Sequence, residues 1–209
     1  MNLRFFLILC FIFCLFGFDV SFGRSSKSWD ELDSREKRSA LIESVYEVTR
    51  PSFRRKAGFT LRSDCSGLIE AMFFDLGLNL GQFSQNYGVK GNGVAKIFDF
   101  IARVGSLSIS QPATGDLVFF SNTFDRNRDG QWNDKLTHIG VVKSVDALGT
   151  ITFLDLRKGR IHSNKLNLQF PAHYSYNGQV VNSHLRRTSQ NLGLASKLFE
   201  GFGSVLPES

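Results

Sequence analysis

The chain changes its hydrophobic period once, at Gln111-Pro112, and that switch limits it to few folds. Before it the apolar residues recur at helical spacing. Leu41, Ile42, Val45, Tyr46 and Val48 share one face of a segment that starts near Ala40 and ends at Pro51. A second helix is expected from Asp64 or Cys65 through Leu68, Ile69, Met72 and Phe73 to Gly77. A third is expected from Val94 to Val104, with Val94, Ile97, Phe98, Ile101 and Val104 on one stripe. After Gln111-Pro112 the pattern is that of short buried strands: Asp116 to Phe120, His138 to Val142 and Thr150 to Leu156. Asp146-Ala147-Leu148-Gly149 forms a hairpin turn between the last two. Helices first and hairpin-linked strands second predict an α+β fold, with N-terminal helices packed on a central antiparallel sheet. No internal repeat or low-complexity block interrupts it.

The first residues read as an export leader. Arg4 gives a positive start, Phe5 to Phe18 is almost wholly apolar, and Ser21-Phe22-Gly23 offers a small-residue cleavage site. The apolar run is short for a membrane span and is followed by Asp19. The expected organisation is a signal peptide over 1–23, a polar segment over 24–39, one domain over 40–185, and a weakly patterned tail over 186–209. Ser52 to Arg62 reads as a basic loop. The expected location is outside the cytoplasm, periplasmic or extracellular, and the expected state is a monomer.

The formal net charge is +6, with basic clusters at Arg54-Arg55-Lys56, Arg157-Lys158-Gly159-Arg160 and Arg186-Arg187. Export argues against nucleic acid and for an anionic envelope surface as the partner of such charge; a solvated basic face is the plainer alternative.

Cys10 and Cys14 lie in the leader, so the remainder keeps a single thiol, Cys65. One thiol cannot make an internal disulfide, which leaves a buried inert group or a reactive one. Its surroundings suit reactivity. Asp64 is a good N-cap residue, so Cys65 falls in the first helical turn, where backbone N–H groups stabilise an anion. Ser66 and Gly67 are expected to keep that turn open to a substrate carbonyl, with the same N–H groups facing the oxyanion. His138, at the mouth of an apolar strand, is the candidate base. Asp155 on the next strand is the candidate third group that orients the imidazole, with Arg157 or Arg160 as competing partners for its carboxylate. His162, His173 and His184 read as surface or loop residues.

Three blocks together carry a resemblance: Asp64-Cys65-Ser66-Gly67-Leu68-Ile69, Thr114-Gly115-Asp116-Leu117-Val118-Phe119-Phe120, and Thr137-His138-Ile139-Gly140-Val141-Val142. In order and spacing, over about residues 40 to 170, they resemble the signature blocks of NlpC-type cysteine peptidases. These are papain-like cell-wall enzymes related to the CHAP amidases and peptidases. The resemblance implies Cys65 as nucleophile and His138 as general base. It implies peptidoglycan stem peptides as substrate, often cut beside a γ-linked D-glutamate, and no required cofactor. Asp155 stands where such enzymes usually carry a second histidine, or sometimes Asn, Gln or an acid. The stretch Pro51 to Phe59 lacks the Tyr and Gly-Gly pair many of them have, so that pocket role is unassigned. The same Cys–His pair would also serve an N-acetylmuramoyl-L-alanine amidase or an acyltransferase, and an inactive wall-binding relative is the third alternative.

Asp125-Arg126-Asn127-Arg128-Asp129-Gly130 matches the first half of a calcium loop, with oxygen ligands at positions 1, 3 and 5 and Gly at 6. Leu136 stands where the bidentate Glu belongs, and Asp134 is the only late carboxylate. The 125–134 segment therefore reads either as a structural calcium site or as an Asx-rich turn joining two strands.

Overall fold

The structure, a computed structural model, describes residues 27–56, 61–78, 80, 91–186 and 192–206, with the side chains of 54–56 excepted. The leader over 1–23 lies outside these residues, as does nearly all of the linker between the second and third expected helices.

Helix α1 (Ser34–Glu47) begins within the segment expected to be merely polar. Its start is set by a reciprocal cap: the Glu36 N–H donates to the Asp33 carboxylate at 2.8 Å, and the Asp33 N–H donates to the Glu36 carboxylate at 2.9 Å. Apolar periodicity begins only at Leu41, which is why it placed the start too late. Pro51 does not close that helix but opens the next, α2 (Pro51–Lys56). A proline is tolerated at a first helical position, where no N–H is needed. Part of the expected basic loop is therefore helical.

Helix α3 (Cys65–Asp75) and helix α4 (Gly93–Val104) lie where the apolar stripes predict them. The Asn92 side chain caps α4 by accepting from Ala95 N–H, and its amide donates to the Leu136 carbonyl at 3.2 Å.

The strands are β1 (Ser106–Ser108), β2 (Leu117–Phe120), β3 (His138–Val145), β4 (Ile151–Arg157), β5 (Arg160–Leu166), β6 (Ser175–Tyr176), β7 (Gln179–Val180) and β8 (Phe199–Ser204). Six form one antiparallel sheet in the order β1-β8-β2-β3-β4-β5; β6 and β7 make a separate ribbon. Helices α1, α3 and α4 cover one face, where Leu68, Ile69, Met72 and Ile97 share a core with Phe119, Ile139, Val141, Leu154 and Leu156. On the other face Val118, Phe120, Val142 and Phe153 pack with Ala195 and Leu198 of the short helix α5 (Ala195–Leu198) and with Phe202. Burial on both faces explains why β2 reads as an unbroken apolar run instead of an alternating one.

The C-terminal residues correct the expectation of a tail over 186–209. Residues 199–204 form β8, which enters the sheet between β1 and β2. Its Gly201 and Gly203 lower strand propensity and so hide it from pattern reading. A Cβ on Gly203 would lie 2.7 Å from Ile101 Cγ2, so α4 sits directly on the β8 backbone.

The Thr114 to Phe120 block is a structural fastening. Gly115 turns the chain at φ +91 and donates to the Val142 carbonyl. Asp116 then accepts from Ala113 N–H at 2.7 Å and from the Arg38 guanidinium at 3.1 Å, which ties α1 to the strand.

Candidate active site

Cys65 is the first residue of α3 and Asp64 is its N-cap, with the Gly67 N–H donating to Asp64 Oδ1 at 2.7 Å. The Leu68 N–H donates to the Asp64 carbonyl. Of the first-turn amides this leaves those of Cys65 and Ser66 for a ligand. The remaining parts of that turn depart from expectation. Ser66 is buried: its hydroxyl donates to Asp64 and accepts from Arg62 Nη2 at 2.8 Å. Gly67 faces protein, because a Cβ there would collide with the Arg62 carbonyl and lie 2.7 Å from Arg62 Cβ. The small residues pack the approach chain against the helix and do not clear space for substrate. Gly67→Ala is expected to lower stability by about 1–3 kcal/mol, the usual cost of overpacking. Urea denaturation read by circular dichroism measures it.

His138 opens β3 at the end of the sheet where the N-terminus of α3 arrives. Its place is fixed on the upstream side by Thr137, whose hydroxyl meets Thr123 N–H and Thr123 Oγ1 at 3.0 and 2.8 Å. Downstream, a Cβ on Gly140 would press within 2.8 Å of both the Phe153 ring and the Leu154 carbonyl, so β4 lies close. Strand alternation puts His138 with Phe120, and Asp155 with Phe153, on the face away from the helices.

His138 Nε2 meets Asp155 Oδ2 at 2.7 Å, and the ring shares the wall of one pocket with the Cys65 thiol. The other Asp155 oxygen, Oδ1, accepts from Arg157 Nε at 3.2 Å, and Arg157 Nη2 donates to Asn164 Oδ1. The carboxylate thus serves His138 and Arg157 together, one oxygen each. The sequence posed these as alternatives.

Burial pushes the His138 imidazole down. The Asp155 hydrogen bond, then the interaction with the neighbouring Cys65, outweigh it and raise the pKa to about 9. Exposure falls along the series: Cys65 is 9% exposed, His138 8% and Asp155 0%. The carboxylate is sealed inside, while the thiol and imidazole line a pocket of about 340 Å³. Its other walls include Thr123 and Phe124 from the loop before β3, Leu156, Arg157 and Lys158 from the end of β4, and Leu185.

The 125–134 loop is an Asx-turn array. Asp125 accepts from Gly130 N–H, Asn127 from Asp129 N–H, and Asp129 from Gln131 N–H. Buried Asp134 accepts from Arg126 N–H at 2.7 Å. Among the described residues no group of three or more His, Cys, Asp or Glu side chains is arranged to hold a metal ion.

Sequence reading offers Arg157 as a partner of Asp155 only in competition with His138, and it gives Lys158 no place at the site. Both belong to a run that composition alone marks as solvated charge. The tight turn that joins β4 to β5, closed by the Arg157–Arg160 pair, places both at the pocket wall.

A helix-headed cysteine and a strand-end histidine meet at one pocket of an α+β protein with an antiparallel sheet. The family model described as the NlpC/P60 family matches residues 49–177, more than half of the chain, and the protein belongs to that family. No curated protein and no solved structure matches it.

Proposed function

We propose that the protein is a cysteine endopeptidase that cuts peptide bonds in peptidoglycan stem peptides. Membership of the NlpC/P60 family supports a cell-wall peptidase with a peptidoglycan substrate. The observation that carries the finer reading is Cys65 and His138 side by side at the wall of an open pocket, with the imidazole hydrogen-bonded behind to the buried Asp155. In this reading Cys65 attacks the scissile carbonyl as a thiolate, and the oxyanion is held by the first-turn N–H groups of Cys65 and Ser66. The His138 imidazolium gives its proton to the departing amine, which leaves a thioacyl-enzyme. The neutral ring then takes a proton from water as water attacks the thioester, and Cys65 is released. Asp155 holds the ring in orientation, and Arg157 holds Asp155. Protein groups and water supply every step, and the proposal assigns no calcium to the 125–134 loop.

The protein would act as a monomer outside the cytoplasm, its leader removed after Gly23, with its positive charge favouring an anionic envelope surface. Mass spectrometry of products from a disaccharide–stem-peptide substrate tests the bond assignment. New amino and carboxyl ends within the stem are expected. Release of the intact peptide from the sugar would instead identify an amidase.

A further inference from the structure

Two loops give the pocket part of its wall. The loop between β2 and β3 supplies Thr123 and Phe124, and the segment after β7 supplies Leu185. Arg186, which does not itself line the pocket, joins them. Its Nη1 donates to the Asn122 carbonyl at 2.9 Å, and its guanidinium lies over the Trp132 ring, 4.1 Å from the centroid. Asn122 and Trp132 stand near opposite ends of the first loop, so one planar cation gathers that loop at two points. The arginine is fixed in turn by its own segment. The N–H groups of Leu185 and Arg186 both donate to the Gly193 carbonyl, and Arg186 Nη2 donates to the Leu192 carbonyl at 3.4 Å. A Cβ on Gly193 would collide with the Arg186 carbonyl, so a glycine is what lets the two arms of this segment close on each other.

What Arg186 holds leads straight to the site. Asn122 is in left-handed backbone at φ +59, and its neighbour Thr123 donates its N–H to Thr137 Oγ1 at 3.0 Å, one residue before His138. The loop closes at its base, where the Asn122 N–H donates to the Asp134 carbonyl. Beyond that base its large apolar side chains bury little, since Phe124 is 49% exposed and Trp132 51%. A loop with so few buried apolar contacts opens easily unless something outside it fixes its position. The NlpC/P60 match ends at residue 177, so that fixing group comes from beyond the matched residues.

We infer that Arg186 is a positioning residue: it sets the Thr123–Phe124 wall of the pocket for substrate without touching the reacting atoms. The inference rests on the hydrolase reading above and adds to it a wall fixed from outside the catalytic elements. Cys65, His138 and Asp155 stand on α3, β3 and β4, which the clamp does not build, so the chemical step survives its loss. Substrate binding does not, because a wall that must be ordered at each encounter takes that ordering out of the affinity.

The test is steady-state turnover of a disaccharide–stem-peptide by the full chain, with scission at any bond followed and the folded fraction taken from thermal melting. Wild type is compared with Arg186→Ala, Arg186→Lys, Trp132→Leu and the double variant Arg186→Ala/Trp132→Leu. Arg186→Ala is expected to raise KM about tenfold with kcat within about twofold of wild type, the pattern of lost uniform binding. Arg186→Lys keeps the charge and reaches Asn122 but has no flat face for the ring, so its KM should fall between the two. The double variant should have a KM within about twofold of Arg186→Ala alone, because ring and guanidinium act through one contact. An unchanged KM in Arg186→Ala, with kcat lowered in step with the folded fraction, would make Arg186 a support of the fold only and overturn the inference. Single effects on KM that multiply in the double variant would overturn the clamp as well. Both results leave the peptidase standing. Scission between sugar and peptide removes the endopeptidase and leaves the KM comparison valid, whereas no scission by wild type at any bond removes the hydrolase and the positioned wall together.

Discussion

Cys65→Ala is expected to abolish stem-peptide hydrolysis, by at least about 10³-fold, while the protein stays folded. Removing a nucleophile that works as one unit with its base costs nearly everything the unit supplies. The change takes away one small side chain at the head of a helix. The α3 cap is built from Asp64 and Gly67 and does not depend on the sulfur. Stability should therefore fall by no more than about 1 kcal/mol. Steady-state hydrolysis and thermal melting of the same preparation check both halves. A melting temperature lowered by tens of degrees would mean that the thiol is chiefly a packing group.

Replacing Asp155 has the next largest effect, and it splits by substitution. Asp155→Asn keeps the shape but loses the charge that holds the imidazolium, so activity is expected to fall about 10²–10⁴-fold. Asp155→Ala also strips the partner from a buried imidazole and from Arg157. Because the Arg157 side chain is 38% exposed and can turn to water, the stability loss should sit at the low end for broken buried pairs, about 3 kcal/mol. The pH dependence follows from the raised imidazole pKa. A group whose folded pKa lies above its ordinary value stabilises most when both states hold the proton. The His138 contribution is thus fully present below about 6.5 and is lost as pH rises to about 9. The wild-type rate should fall on an alkaline limb near 9, where the leaving amine loses its acid, and in Asp155→Asn that limb should move to lower pH. Rate profiles from pH 5 to 10 for both proteins decide it, and coincident alkaline limbs would remove Asp155 from its orienting role.

Much of this architecture could be read from local signals, and the failures have local causes. Helices α3 and α4 carry continuous apolar stripes and capping residues, so they stand where the pattern puts them. Strands β2 to β4 are short apolar runs bounded by turn residues, and the Asp146 to Gly149 turn closes as its residues dictate. The start of α1 was hidden because its signal is polar, a cap formed by Asp33 and Glu36. Strand β8 was hidden because two glycines interrupt its pattern, and Gly203 is accounted for only by the close approach of α4, a tertiary fact with no local trace.

The site was legible to the same extent. Cys65 and His138 sit in compact motifs, whereas the sharing of Asp155 between His138 and Arg157 depends on how β3 and β4 line up. The purpose of Gly67 was read wrongly for a related reason. Sequence shows that a side chain is missing but not which neighbour occupies the space, and here Arg62 fills it.

Alkylation of the wild-type protein with iodoacetamide at pH 7, with peptide mapping of the adduct and residual hydrolysis followed in parallel, tests the central claim most directly. The account predicts modification at Cys65, with activity lost in step with adduct formation, and markedly slower modification in His138→Ala. A chain fully modified at Cys65 that still hydrolyses its substrate, or a Cys65 that resists modification while hydrolysis proceeds, would contradict it.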